Sequence, residues 1–532
     1  MSTPGPCRRV FPLAVGLSAV FAGWGLLWPE QLAASATSAL TFTTRTFGWF
    51  YLLAAGLFLG FCVYLYFSRF AHVRLGMPGE PPEYSYRSWL AMLFSAGMGI
   101  GLVFWGVAEP LYHFADPPFG QAAAESPEAA RLALRYSLFH WCLHPWAIYT
   151  VIALAIAYTQ FRRRDSGLIS AVFRPWLGRR ADGLPGNCID LLAAQATVFG
   201  VATSLGFGTL QIAGGIEHLF GANNTVTLQL SIIVVVTVLY LLSAVTGLNK
   251  GILWLSNANL VLAAVLMGAV LFLGPTVFVI EAFVTVMGGY LQNLVQMSLR
   301  LTPFTQGEWV GSWTLFYWAW WIAWAPFVGS FIARVSRGRT IREFIGGVLL
   351  VPSVIGAFWF ATFGGTALHG ELFGDGGLAE AVKTDVTTTL FALLGQLPWG
   401  TILGGLAALL IVTFFVTSAD SATFVLGMLT SKGDPNPPTW VKLVWGVLQS
   451  SIAAALLLSG GLQGLQTASI VAALPFAVIL VLMVFVLLRA LREDHPREAR
   501  TDVHPGSDPA LGFGQRTGAA QSKIDGPLEE SR

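Results

Sequence analysis

The chain has 532 residues, of which 55% are hydrophobic and 11% charged, with 30 Lys and Arg against 28 Asp and Glu for a formal net charge of +2. Soluble chains carry roughly 25% charged residues, so this composition, with a mean hydropathy of +0.66, excludes an ordinary soluble domain. The near-neutral balance argues against a nucleic-acid partner, and Cys7, Cys62, Cys142 and Cys188 show no CxxC or metal-ligand spacing that would build a disulfide framework or a zinc site.

A helix needs about 20 apolar residues to cross a bilayer, because no water inside can satisfy its backbone. Runs of that kind predict an all-α membrane protein with spans near 11–28, 48–68, 88–108, 134–160, 188–210, 228–247, 253–280, 312–335, 343–365, 399–426, 440–459 and 468–488. The first run has Arg8 and Arg9 before it and no small-residue cleavage site after it, which marks a retained span rather than a signal peptide. Alternate loops are rich in cations: Arg69, Arg74 and Arg87, then Arg162–Arg164, Arg174, Arg179 and Arg180, then Lys250, then Arg334, Arg337, Arg339 and Arg342, then Lys432 and Lys442. The intervening loops are poor in cations and carry Asp116, Glu125, Glu128, Glu371, Asp375, Glu380 and Asp385. Cations gather on the cytoplasmic side, so both termini are expected there, in a multi-pass protein of the cell (inner) membrane.

The chain thus divides into a cytoplasmic N-terminus (1–10), two N-terminal spans (11–87), five spans (88–280), an amphipathic segment on the outer surface (281–311), five further spans (312–488) and a polar cytoplasmic tail (489–532). The tail carries seven basic and eight acidic residues and is expected to be largely disordered beyond its first turns.

Three segments depart from apolar filler. Ser95-Ala-Gly-Met-Gly-Ile-Gly101, followed by Phe104-Trp-Gly-Val-Ala-Glu-Pro110, places glycines at 97, 99 and 101, each weakening a helix by about 1 kcal/mol relative to alanine. Such a run suits either an unwound backbone whose carbonyls face a ligand, or close packing through small residues. Span eight concentrates Trp313, Phe316, Tyr317, Trp318, Trp320, Trp321, Trp324 and Phe327. An interfacial belt accounts for Trp313 but not for four tryptophans between 318 and 324 in mid-span. Trp141, Trp146 and Tyr149 in span four fall, at 100° per residue along a continuous helix, within an arc of about 140°. Aromatic faces of this kind hold a quaternary ammonium, which makes no hydrogen bonds, at roughly 0.5–2 kcal/mol per face when desolvated. The third segment, Phe414-Phe-Val-Thr417-Ser418-Ala-Asp420-Ser421, puts hydroxyls and an acid deep in a span. The adjacent hydroxyls suit either hard ligands for a small cation or hydrogen bonds back to helix carbonyls.

Taken together, and above all through Trp313-Thr-Leu-Phe-Tyr-Trp-Ala-Trp-Trp-Ile-Ala-Trp-Ala-Pro-Phe327 and Ile332-Ala-Arg-Val-Ser-Arg-Gly-Arg-Thr-Ile-Arg-Glu-Phe344, the sequence resembles the betaine/carnitine/choline transporters over roughly residues 10–490. The resemblance implies a leucine-transporter-like fold of two inverted five-helix repeats, 88–280 and 312–488, and a homotrimer in the lipid bilayer. It implies a substrate box of Trp141, Trp146, Tyr149 and Trp321, with Trp324 and Phe327 along the route to the cytoplasm. Trp320 and the glycines Gly99 and Gly101 join the expected substrate-binding set. It further implies a sodium site from main-chain oxygens of Ser95, Met98 and Phe414 and the hydroxyls of Thr417 and Ser418. A second family sodium site uses two threonines one turn apart; here Thr197 is present, but its partner position is Val201. Proton-coupled choline relatives carry an aspartate where this chain has Gly101.

The expected function is import of glycine betaine or a close analogue by sodium symport, with sodium as coupling ion and no other cofactor. A proton-coupled choline carrier and a sodium-independent carnitine/betaine exchanger are the alternatives within the family, and the Thr417–Ser418 pair argues against the exchanger. An enzyme is not expected, since no HExxH or GxSxG occurs, and without a Gly-Lys dipeptide no Walker A loop can power transport. Nor is a channel filter visible.

Overall fold

The computed structural model describes residues 9–97, 99–246 and 249–495, so most of the tail expected at 489–532 lies outside the described residues. It is all-α. In chain order the helices are α1 (Val10–Leu27), α2 (Pro29–Phe67), α3 (Tyr86–Gly97), α4 (Ile100–Ala115), α5 (Pro127–Trp141), α6 (Leu143–Ala157), the short α7 (Ile169–Val172) and α8 (Arg174–Leu177), then α9 (Leu184–Phe220), α10 (Val226–Thr246), α11 (Asn249–Leu273) and α12 (Thr276–Ser298). They continue as α13 (Phe316–Val335), α14 (Ile341–Phe373), the short α15 (Leu378–Thr384) and α16 (Thr389–Gly395), α17 (Gly400–Thr430) and α18 (Thr439–Asp494). No strand forms among the described residues, and the one isolated bridge joins Arg74 to Thr340. Eleven helical stretches of the described residues are long and apolar enough to cross a membrane.

Each expected span falls on a helix, though the second begins at Pro29, well before the expected 48, and three others differ for local reasons. The third span is interrupted: α3 stops at Gly97, Gly99 is extended (φ −155°, ψ −175°), and α4 starts at Ile100. The expectation of one continuous helix carrying Trp141, Trp146 and Tyr149 is corrected, because Cys142 (φ −103°, ψ −116°) separates α5 from α6. Pro145 explains the break: it lacks an N–H, and its ring clashes with the carbonyl four residues back, which is that of Trp141. Span seven ends at Leu273 rather than 280, and α12 starts at Thr276, because Gly274-Pro275 stops one helix and opens the next. The last two expected spans are two helical halves of α18, separated where Gly460 and Gly461 leave helical geometry. Gly461 (φ 53°, ψ −131°) sits where only glycine rests without strain.

Side-chain caps fix the starts of α5 and α14. Ser126 accepts from the Ala129 N–H at 3.1 Å ahead of Pro127, and Thr340 forms a reciprocal capping box with Glu343 at the start of α14.

The cation-rich loops meet on one face of the bundle. Arg74 donates to the Gly338 carbonyl at 2.8 Å, Arg162 to the Gly76 carbonyl at 3.3 Å, and Arg337 pairs with Glu80 at 2.7 Å. A backbone hydrogen bond from Met77 and the Arg337 guanidinium hold the Glu80 carboxyl below its ordinary range. On the opposite face Lys383 pairs with Glu125 at 3.6 Å. Between the faces, α4, α9, α13 and α17 pack on one another, and α6 packs against α13, around the central cavity.

Candidate functional site: an aromatic box at the head of a cavity

A cavity of about 960 Å³ runs down the middle of the bundle. Trp141, Tyr149, Trp320, Trp321, Trp324 and Phe327 line it, together with Gly99 and Gly101 at the α3–α4 break and Phe414, Thr417 and Ser418 of α17. Its far end reaches the surface at Arg334, Pro435 and Asn436, on the face that carries the cationic loops.

Trp321 is the centre of the box. Its ring centroid lies 5.5 Å from Trp141, 6.2 Å from Trp146 and 5.0 Å from Tyr149, with interplanar angles of 79°, 56° and 58°. Trp146 completes the group edge-on to Tyr149 at 5.7 Å, but it backs the wall and is not among the cavity-lining residues. The convergence survives the break at Cys142, so the box does not depend on the arc that a continuous helix would give. The Trp321 indole N–H is buried and has no hydrogen-bond partner among the described residues. A buried donor left alone costs about 1–3 kcal/mol, so an acceptor arriving in the box gains by meeting it.

Neighbouring indoles are tied down. Trp320 and Trp324 both donate to the Ser204 hydroxyl, at 3.2 and 3.0 Å, and Trp324 also to the Gly200 carbonyl at 2.8 Å. The Trp320 ring lies directly on Gly101, where an added Cβ would overlap it. Gly101 is thus required by close approach, a reason the alternating glycines alone did not reveal.

The oxygen-rich wall is α17. Thr417 Oγ1 donates to the Thr413 carbonyl at 3.0 Å or the Phe414 carbonyl at 3.2 Å and accepts from Asn259 Nδ2 at 3.2 Å. Of the two sequence readings, back-bonding is therefore present, and it leaves a hydroxyl lone pair for a cation. Asn259 Oδ1 is buried without a partner among the described residues and adds an oxygen that sequence reading missed. A polar Asn in a span was the signal. Ser95 lies in α3, where only the backbone is described, and Met98 lies outside the described residues. Thr197 is buried on α9, with Oγ1 donating to the Ala193 carbonyl at 2.8 Å, and Val201 is fully buried; neither lines the cavity.

Beyond the box, away from the mouth, Glu109, His113 and His140 bring three potential metal-ligand atoms within 4.8 Å of one another, all buried. Glu109 and His140 already share a 2.7 Å hydrogen bond, so the set stands as a hydrogen-bonded cluster.

Comparison with known proteins bears on this geometry. Residues 9–496 match the model of the betaine/carnitine/choline family of transporters. The chain is 51% identical over 488 residues to the glycine betaine transporter OpuD of Bacillus subtilis, covering 91% of this chain and 94% of that protein. It is 49% identical to an ectoine/hydroxyectoine transporter of Virgibacillus pantothenticus (88% and 93% covered) and 41% identical to a glycine betaine transporter of Acinetobacter baylyi (93% and 75%).

Proposed function

Since this chain belongs to the betaine/carnitine/choline family of transporters, we propose that it imports glycine betaine or a close analogue by sodium symport. The observation that carries the reading is the convergence of Trp141, Trp146 and Tyr149 on Trp321 at the head of a cavity that reaches one face. Four π faces suit a methylated cation that offers no hydrogen bonds. The lone Trp321 N–H suits the carboxylate at the other end of a betaine.

Sodium would bind between the α3–α4 break and α17, on main-chain oxygens of Ser95, Met98 and Phe414, the hydroxyls of Thr417 and Ser418, and the Asn259 carbonyl. Sodium in an apolar setting needs several oxygens to replace its hydration shell. Thr417 and Asn259, hydrogen-bonded side by side, offer two of them. Betaine is a zwitterion, so each sodium moves one net charge, worth about 2.3 kcal/mol per 100 mV. Thr197, with Val201 beside it, supplies at most half of a second site. The residue pattern at Gly101 supports sodium over protons, because a carboxylate there would need the space the Trp320 ring holds.

The rest follows from the family resemblance and the charge pattern. The repeats are assigned to 88–280 and 312–488, α12 to the outer surface, and the mouth with both termini to the cytoplasm of the cell membrane. A homotrimer is assigned as the assembly, and native mass measurement in nanodiscs tests it.

A second reading takes ectoine as the substrate, on the 49% identity to the ectoine/hydroxyectoine transporter. Ectoine joins a delocalised cation to a carboxylate and suits the same π faces and donor. Competition of unlabelled betaine, ectoine, choline and carnitine against labelled glycine betaine in proteoliposomes ranks the readings: betaine strongest supports the first, ectoine strongest the second.

A further inference from the structure

The closed end of the cavity is organised around one carboxylate. Glu109 lies in α4 and is fully buried. A charge in a span is costly unless its oxygens are met, and here they are. Oε2 accepts from the Trp141 indole N–H at 2.7 Å and from the Tyr317 hydroxyl at 2.5 Å. Oε1 is 2.7 Å from His140 Nδ1, with His113 Nε2 at 3.3 Å. His140 Nε2 is 3.0 Å from Thr314 Oγ1, so the tautomer that donates from Nδ1 to the carboxylate accepts from the threonine hydroxyl at Nε2. One side chain of α4 thereby gathers the last two residues of α5 and the start of α13.

One of these donors belongs to the box. Trp141 is the last residue of α5, immediately before the break at Cys142, where the helix no longer fixes the chain's course. Ring contacts with Tyr317, Trp320, Trp321 and Phe360 bound its position, and the 2.7 Å hydrogen bond from its N–H to Glu109 fixes which edge of the indole turns toward α4. Glu109 is not among the residues that line the cavity. We propose that Glu109 is a positioning residue: it orients the Trp141 indole, and so sets substrate affinity without touching the substrate. This rests on the reading of the box as the substrate site.

The test is a double-mutant cycle on the full-length protein in nanodiscs, with equilibrium binding of labelled glycine betaine. Glu109→Leu, which leaves three donors unmet, is expected to raise Kd by about 10-fold or more. Trp141→Phe keeps a ring and removes the N–H. In that background Glu109→Leu is expected to add less than about 2-fold, because its route to the substrate is gone. A merely structural role gives the full effect in both backgrounds and overturns the proposal, as does wild-type affinity in Glu109→Leu. Should the leucine variant not fold, Glu109→Gln and Glu109→Asp replace it. Glutamine reaches both donors through its amide oxygen and donates to His140 in the other tautomer, and is expected within about 3-fold of wild type. Aspartate keeps the charge but falls one methylene short, and is expected to be the weaker binder; the reverse order overturns the proposal. A wild type that binds no betaine sinks the substrate reading alone. The anchor is then read without ligand, by the ultraviolet resonance Raman signal lost in Trp141→Phe. A strongly hydrogen-bonded indole N–H that weakens in Glu109→Leu supports the anchor, and a weakly bonded one overturns it.

Discussion

At its closed end the cavity is walled by Trp141, Trp320 and Trp321, buried side chains held by ring contacts and, for the first two, by hydrogen bonds to Glu109 and Ser204. At its mouth Arg334, Pro435 and Asn436 stay exposed to solvent, and Gln160 and Lys442 are half-buried. The first surface can discriminate, because a desolvated π face or donor is worth more than a hydrated one. The second can only admit, because water competes for every contact a solute would make there. Affinity should therefore be concentrated in the box and nearly absent from the rim, with the hydroxyl-bearing wall of α17 between them.

That contrast can be broken at several points. Trp321→Leu keeps bulk and removes the ring on which three others converge, and loss of about 2 kcal/mol or more raises the half-saturating betaine concentration roughly 30-fold or beyond. An uptake titration checks it, and wild-type affinity would end the cation–π account. Gly101→Asp forces the Trp320 ring aside, at about 1–3 kcal/mol of overpacking. The melting temperature of the detergent-solubilised protein should fall and betaine uptake with it; unchanged melting would show that the ring yields freely. Removing both hydroxyls in Thr417→Ala with Ser418→Ala should raise the half-activating sodium concentration about 5- to 10-fold at a nearly unchanged melting temperature. Equal loss of sodium response and stability would mean that the hydroxyls only stitch the helix. At the rim, Asn436→Ala should change uptake less than about 2-fold. A larger loss would show that the mouth selects as well as admits.

Much of the fold and the site was legible in the sequence. Spans showed as apolar runs of membrane length, and the glycines at 97, 99 and 101 offered the α3–α4 break as one of two readings, the other being close packing. Aromatics at 141, 146, 149 and 321 stood out because tryptophan in mid-span has few bland explanations. Other features were hidden because they depend on what lies opposite. The break at Cys142 was signalled by Pro145, yet a periodicity argument assumes a continuous helix and passes over it. Glu109 stood in plain view within Phe104–Pro110, but its role needs donors from two other helices, His140 and Trp141 on α5 and Tyr317 on α13. Asn259 meets Thr417 across 158 positions of chain. No local pattern reports such pairings.

The central claim is that a sodium gradient drives a methylated zwitterion through the aromatic box. It is tested most directly in proteoliposomes holding the purified protein, by following labelled glycine betaine under an inward sodium gradient at uniform pH, then under an inward proton gradient without sodium. The account predicts accumulation above the external concentration in the first condition, none in the second, and loss of the signal in Trp321→Leu. Accumulation driven by protons alone, or an uptake indifferent to both gradients, would contradict it.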